Sequence, residues 1–296
     1  MFDKLLTEQS NPASFGLDAR PTAEILRIMN EEDRKVAPAV GVEIGQIAQA
    51  VDAVAALISS GGRLFYIGAG TSGRLGVLDA AECPPTFNVD PELVQGIIAG
   101  GESALARATE STEDDPDAGQ QDLLTHGFTG KDALVGIAAS GRTPYVLGAI
   151  AAARGLGALT IGISCTPDSE LSRVVDISIA PLPGPEVIAG STRMKAGTAT
   201  KLVLNMISTA VMIRLGHVYG NLMVNVQPKN RKLEDRAKRI VAEAAQVDYQ
   251  RAGELLDAAR GRVKTAIVMS KLSLDRTRAE ARLAEAGGRI SGALKK

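Results

Sequence analysis

Cysteine is scarce: Cys83 and Cys165 are the only two in 296 residues, which excludes a disulfide framework. Histidine is equally rare, and His126 and His217 form no Cys/His cluster at metal-ligand spacing, so no metal is expected. An excess of charge of one sign is also missing. Thirty-three basic residues against 34 acidic ones leave a formal charge of −1, which argues against a generally basic, nucleic-acid-binding surface. No stretch stays apolar over the roughly 18 residues a membrane span needs. Met1-Phe2-Asp3-Lys4-Leu5-Leu6-Thr7-Glu8-Gln9 has acids where an export signal would carry a basic and then an apolar run. The expectation is a cytoplasmic protein with neither membrane nor nucleic acid as partner.

What the chain does have is length enough for one large α/β domain and a smaller one. A polar arm with Asn11-Pro12-Ala13-Ser14 is followed by helical apolar spacing from Ala37 to Ile58, stopped by Gly61-Gly62. Short β-rich runs then recur at 64–67, 93–98, 133–137, 159–163 and 174–179, separated by helix-like stretches. That order predicts an open parallel sheet flanked by helices on both faces, a three-layer α/β sandwich. A long apolar helix is predicted over 192–215. From Lys229 charge rises, β-branched runs vanish, and helical patterns at 233–247, 250–259, 263–269 and 275–286 predict a small all-α C-terminal domain. The expected division is 1–53 as arm and helices, 54–228 as the α/β domain and 229–296 as the helical domain, with Lys229-Asn230-Arg231-Lys232 as a solvated hinge.

The most informative segment is Gly68-Ala69-Gly70-Thr71-Ser72-Gly73-Arg74, directly after the apolar run Leu64–Ile67. Glycines admit close approach of an anion, a helix N-terminus presents unpaired N–H groups, and Thr71 and Ser72 add hydroxyls. A nucleotide P-loop is excluded, because Gly73 is followed by Arg74-Leu75 where Lys and Ser/Thr are required. The spacing of Gly68, Gly70 and Gly73 also fits a dinucleotide fingerprint, but Asp90 precedes the next strand instead of ending it, where a ribose would lie. A phosphorylated small molecule is the remaining reading.

Two more hydroxyl-rich loops stand at strand-to-helix junctions, Ser140-Gly141-Arg142-Thr143 and Ser191-Thr192-Arg193. Each alone also suits a helix cap. Together they suggest convergence, since neutral donors can hold a phosphate dianion without a metal. Glu82, in Glu82-Cys83-Pro84-Pro85-Thr86-Phe87, lies late on the helix that starts at the glycine loop, and Pro84-Pro85 are expected to end that helix at a stiff corner. A second acidic cluster spans Glu110-Ser111-Thr112-Glu113-Asp114-Asp115. Both suit surface charge; in unlike environments, paired carboxylates also supply the acid and the base of an elimination. Cys83 reads as buried packing and His217 as structural.

Taken in order, Asn11-Pro12-Ala13-Ser14, Gly68–Gly76, Glu82–Phe87, Glu113-Asp114-Asp115, Ala139–Tyr145 and Gly190–Thr198 resemble the N-acetylmuramic acid 6-phosphate etherases, a family of the sugar isomerase domain superfamily. The resemblance covers nearly the whole chain, closing helices included. Ala138 stands where many sugar isomerase domains carry another serine, and in this the chain is similar to the etherase branch.

The resemblance implies a sugar isomerase domain of flavodoxin-like topology and a lyase that releases D-lactate from N-acetylmuramic acid 6-phosphate without a metal or redox cofactor. It makes Glu82 the proton donor and Glu113 the second acid–base residue, acting at carbon 2, with Glu110 the nearest substitute. Thr71, Ser72, Ser140, Thr143, Ser191 and Thr192 would bind substrate. It also implies a homodimer in which a partner loop completes each sugar pocket, consistent with the apolar content of 192–215 and 222–226. A sugar-phosphate isomerase and a non-catalytic sugar-phosphate sensor are the rival readings. Retention of both acids counts against the sensor.

Overall fold

The computed structural model describes residues 6–107, 112–226 and 230–295. The expected domain boundary at 228/229 and the candidate Glu110 lie outside them; of the expected hinge 229–232, Asn230 caps a helix that Arg231 and Lys232 begin. The chain divides into two compact units, one of Met1–Ala81 with Pro91–Ser208, the other of Glu82–Asp90 with Thr209–Lys296.

In the first unit, α1 (Thr22–Asp33), α2 (Val36–Val42) and α3 (Ile44–Ser59) precede β1 (Leu64–Gly68). The helix expected over 37–58 is therefore two helices. The chain turns by 57° at Glu43, whose carboxylate accepts the Ala180 N–H at 3.1 Å. α1 replaces part of the expected polar arm. There follow α4 (Gly70–Phe87), β2 (Val94–Ile98), α5 (Ser103–Ala106), α6 (Pro116–Thr125), β3 (Ala133–Ile137), α7 (Pro144–Gly155), β4 (Leu159–Ile163), α8 (Glu170–Val174), β5 (Ile177–Ile179) and α9 (Lys195–Arg214), of which the last turns of α4 and α9 are counted with the second unit.

The five strands form one parallel sheet in the order β2-β1-β3-β4-β5, with Leu64 in register with both Val94 and Ala133. β1 and β3 are buried along their whole length, which is why they read as unbroken apolar runs without alternation. Phe65, Ile67, Leu134, Val146 and Ile150 form the core on one face, where Phe65 meets Phe128 edge-on at 5.2 Å. The strand order changes direction between β1 and β3, the topological switch point beyond which such sheets bind ligands. Thr71-Ser72 and Ser140–Thr143 follow those two strands.

In the second unit a short hairpin, β6 (Val218–Tyr219) and β7 (Leu222–Met223), leads to α10 (Arg231–Ala245), α11 (Tyr249–Ala258), α12 (Val263–Leu272), α13 (Arg276–Glu285) and α14 (Ile290–Ala293). Asn230, Asp248 and Asp275 cap three of these helices by accepting the N–H of Leu233, Arg251 and Arg278 at 2.7–2.9 Å. Val241, Leu256, Ile267 and Leu283 face a common core. Among the described residues, α9 is long and apolar enough by composition to cross a membrane; half of its most apolar window is buried within the fold, as in a core helix.

Candidate active site

β1 runs into α4 through a turn in which the glycines have separate physical jobs. A Cβ on Gly73 would stand 2.5 Å from the Gly68 carbonyl oxygen, and one on Gly76 2.9 Å from Tyr66 Cβ. These two positions let α4 lie directly on the strand. Gly70 instead has φ +52° with open space around it, so its role is the backbone turn. Thr71 and Ser72 occupy the first turn of α4, half-buried, where the helix leaves its N–H groups without intrahelical acceptors.

One face of α4 is anchored by Asp79, which the sequence reading did not single out. Its buried carboxylate accepts bonds from Tyr66 Oη at 2.9 Å, Asn205 Nδ2 at 2.6 Å and Ser208 Oγ at 3.2 Å. Glu82, three residues on, is exposed on the helix. Pro84 and Pro85 do not end α4; they lie inside it, and the helix continues to Phe87. Each proline forfeits its own N–H bond and crowds the carbonyl four residues back, but the final turn has other support. Phe87 is buried, its carbonyl accepts Asn225 Nδ2 at 3.0 Å, and Asn88 closes the helix at φ +52° by donating to the Pro84 carbonyl at 2.8 Å. Glu82 thus belongs to a helix interior, not a corner.

The loop after β3 brings Glu113 to Thr143. Thr143 holds the N-cap position of α7 but makes no capping bond; its Oγ1 donates to Glu113 Oε1 at 3.2 Å, while Tyr145 N donates to the Glu113 carbonyl at 3.1 Å. Both contacts depend on tight packing of α6 on α7. A Cβ on Gly119 would stand 1.9 Å from the Tyr145 carbonyl oxygen, and one on Gly148 2.0 Å from that of Pro116. Tyr145 Oη donates to Asp122 at 2.6 Å, and burial followed by this bond pushes the phenol well above its ordinary range. Ser140 is half-buried and its Oγ accepts the Arg142 N–H at 3.3 Å. Gly141 (φ +67°) turns the loop against Ser169, leaving no room for a side chain.

Ser191 and Thr192, both half-buried, lie in the loop before α9. A Cβ on Gly197 would stand 3.5 Å from both Thr192 O and Thr71 Cγ2, so this loop and the glycine turn meet. Beneath it Lys195, 1% exposed, donates to Glu32 at 2.6 Å, and Glu32 accepts Asn11 Nδ2 at 2.9 Å. Neither Glu32 nor the burial of Lys195 was legible from local sequence.

His217 is packed against Asn225, and burial, reinforced by Lys264, lowers the affinity of its ring for a proton. Cys83 and Cys165 are buried and not disulfide-bonded; burial and then Glu186 push the Cys165 thiol up to about 12. Among the described residues no group of three or more His, Cys, Asp or Glu is placed to hold a metal ion. Hydroxyl and amide donors thus follow the carboxyl ends of β1, β3 and β5, and the Glu113 carboxylate is bonded to one of those hydroxyls, that of Thr143.

The sequence is 54% identical over 292 residues to the N-acetylmuramic acid 6-phosphate etherase of Edwardsiella ictaluri, covering 99% of this chain and 97% of that one. The chain belongs to the N-acetylmuramic acid 6-phosphate etherase family. The etherase of Caldanaerobacter subterraneus subsp. tengcongensis is 51% identical over 293 residues, covering 99% and 96% of the two chains. Residues 46–154 match the family described as glucokinase regulatory protein N-terminal SIS domain. A solved phosphoheptose isomerase from Francisella tularensis aligns with a TM-score of 0.48 at 16% identity, over 64% of this chain and 97% of its own. The etherase family and the parallel α/β sheet with a helical C-terminal region agree with the sequence-based expectation.

Proposed function

We propose that this chain is an N-acetylmuramic acid 6-phosphate etherase, converting that substrate and water to N-acetylglucosamine 6-phosphate and D-lactate. The observation that carries the reading is identity above one half over nearly the full length of proteins named for that activity. In the open-chain sugar, carbon 2 adjoins an aldehyde, so a carboxylate can remove its proton. Lactate leaves carbon 3 when its ether oxygen is protonated. Water then adds to the unsaturated aldehyde, and the proton returns to carbon 2.

Glu113, whose carboxylate accepts the Thr143 hydroxyl beside the β3–α7 loop, is assigned the carbon 2 proton by family resemblance. Glu82 is assigned the ether oxygen by family resemblance. Thr71, Ser72, Ser140, Ser191 and Thr192 are assigned to the phosphate, whose remote binding energy positions the reacting carbons; Thr143 contributes through Glu113. In this reading residues 1–53 support the site, 54–228 carry the chemistry and 229–296 form a helical appendage, in a cytoplasmic enzyme. The functional unit is a homodimer with a two-fold axis, supported by the exposed apolar side chains Phe15, Leu26, Val42 and Ile44.

The experiment is direct. Purified protein without added metal or nucleotide should release D-lactate from the 6-phosphate substrate and not from unphosphorylated N-acetylmuramic acid. Aldose–ketose exchange of hexose 6-phosphates without lactate release would favour the isomerase instead.

A further inference from the structure

The Asn11-Pro12-Ala13-Ser14 segment and Lys195 lie in motifs that the reaction itself leaves without a task, and the fold connects them. Asn11 closes a tight turn: its Oδ1 accepts the Ala13 N–H at 3.0 Å and its carbonyl accepts Ser14 Oγ at 3.0 Å. Its Nδ2 donates outward, to Glu32 Oε2 at 2.9 Å and to the Pro185 carbonyl at 3.0 Å. Glu32 Oε2 also receives Lys195 Nζ at 2.6 Å, and Lys35 approaches its other oxygen at 2.6 Å. Burial alone would raise the Glu32 carboxyl, but the bonds from Lys195, Lys35 and Asn11 outweigh it and hold it at about 2, so the carboxylate stays ionised at working pH.

A fully buried lysine is tolerated only with its charge matched and its donors used, which fixes Lys195 rigidly relative to α1. The backbone at the same point is fixed independently. Glu186 accepts the N–H groups of Lys195 at 3.0 Å and Ala196 at 2.9 Å, occupying the start of α9. On the other side of the loop, Gly190 N donates to the Thr7 carbonyl at 3.0 Å. Ser191 and Thr192 are therefore suspended between two clamped points, and Gly197, in the first turn of α9, abuts Thr71 of the glycine turn.

We propose that the buried Asn11–Glu32–Lys195 network is the positioning device of the Ser191–Thr192 loop, setting substrate affinity from outside the pocket. The inference rests on the reading that this loop meets the phosphate of the substrate. None of the three network side chains touches substrate; they act through the start of α9.

Two variants test it. Asn11→Ala removes the bonds to Glu32, Pro185 and Ala13 and leaves the buried charges paired. The double variant Glu32→Gln with Lys195→Met removes both charges together, so neither is stranded. Each should raise KM for N-acetylmuramic acid 6-phosphate about tenfold, with kcat little changed, and weaken calorimetric binding of N-acetylglucosamine 6-phosphate to the same degree. If the double variant does not fold, Asn11→Ala decides alone.

A lowered melting midpoint with unchanged KM and unchanged binding would mean a merely structural network and overturn the proposal, as would loss of kcat alone. Ser191→Ala and Thr192→Ala separate this from the phosphate reading. If they leave KM unchanged while the network variants raise it, the two hydroxyls do not hold the phosphate, and the network positions the backbone of the loop against the substrate instead. If they raise KM while the network variants do not, the positioning role fails.

Discussion

Thr143 Oγ1 donates to Glu113 Oε1 across 3.2 Å, joining side chains 30 residues apart and attaching an acid to the hydroxyl-rich loop at the sheet's switch point. Because Thr143 makes no capping bond to α7, its hydroxyl has this carboxylate as its structural partner. Thr143→Val keeps the shape and deletes the donor. It should lower kcat about tenfold through misorientation of Glu113, with KM little changed. Steady-state kinetics measure this, and an unchanged kcat would detach Thr143 from catalysis.

Removing proton exchange altogether is a larger perturbation. Glu82→Gln and Glu113→Gln should each reduce the rate about a hundredfold or more. Only Glu113→Gln should also suppress deuterium exchange at carbon 2. Exchange at the wild-type rate in Glu113→Gln would move the base to another residue.

Packing of α6 on α7 gives a stability prediction. Gly119→Ala would place a methyl 1.9 Å from the Tyr145 carbonyl oxygen, a contact with rigid backbone that only helix displacement can relieve. A loss of about 1–3 kcal/mol is expected, together with lower activity as Glu113 moves. Denaturant unfolding gives the first quantity; unchanged stability would contradict the close helix approach.

The environment of His217 sets the sign of a pH effect. Burial, then Lys264, depress its folded pKa, so the folded ring takes up a proton less readily than the unfolded chain does. Stability should therefore fall as pH drops below the ordinary value of 6.5 toward the lowered folded value, and be indifferent to this group above 6.5. His217→Gln should flatten that slope in melting midpoints recorded from neutral to mildly acid pH; a slope unaltered by the substitution would remove His217 as its source.

Much of this was legible in the sequence. The strands were, β1 and β3 most plainly because they are buried on both faces and contain nothing but apolar residues and glycine; of the run expected over 174–179, only Ile177–Ile179 is strand, and Val174 ends α8. So were the C-terminal helices, whose Asn230, Asp248 and Asp275 caps stand just outside their apolar periodicity. The end of α4 was misread because local proline chemistry predicts a stop, whereas burial of Phe87 and the Asn225 bond carry the helix one turn further. α1 was missed although Ile25, Ile28 and Met29 recur at helical spacing, because polar residues dominate the segment around them; it delivers Glu32 to Lys195, 163 residues away. Asp79 was missed for a similar reason: its partners Tyr66, Asn205 and Ser208 come from β1 and α9, and no spacing announces them.

The central claim is that lactate leaves by elimination and that water then adds to the sugar. The most direct test is turnover of N-acetylmuramic acid 6-phosphate in isotopically labelled water, followed by mass analysis of both products. The oxygen label should enter N-acetylglucosamine 6-phosphate at carbon 3 and leave the D-lactate hydroxyl unlabelled; label in the lactate hydroxyl would mean cleavage on the other side of the ether oxygen and contradict the account.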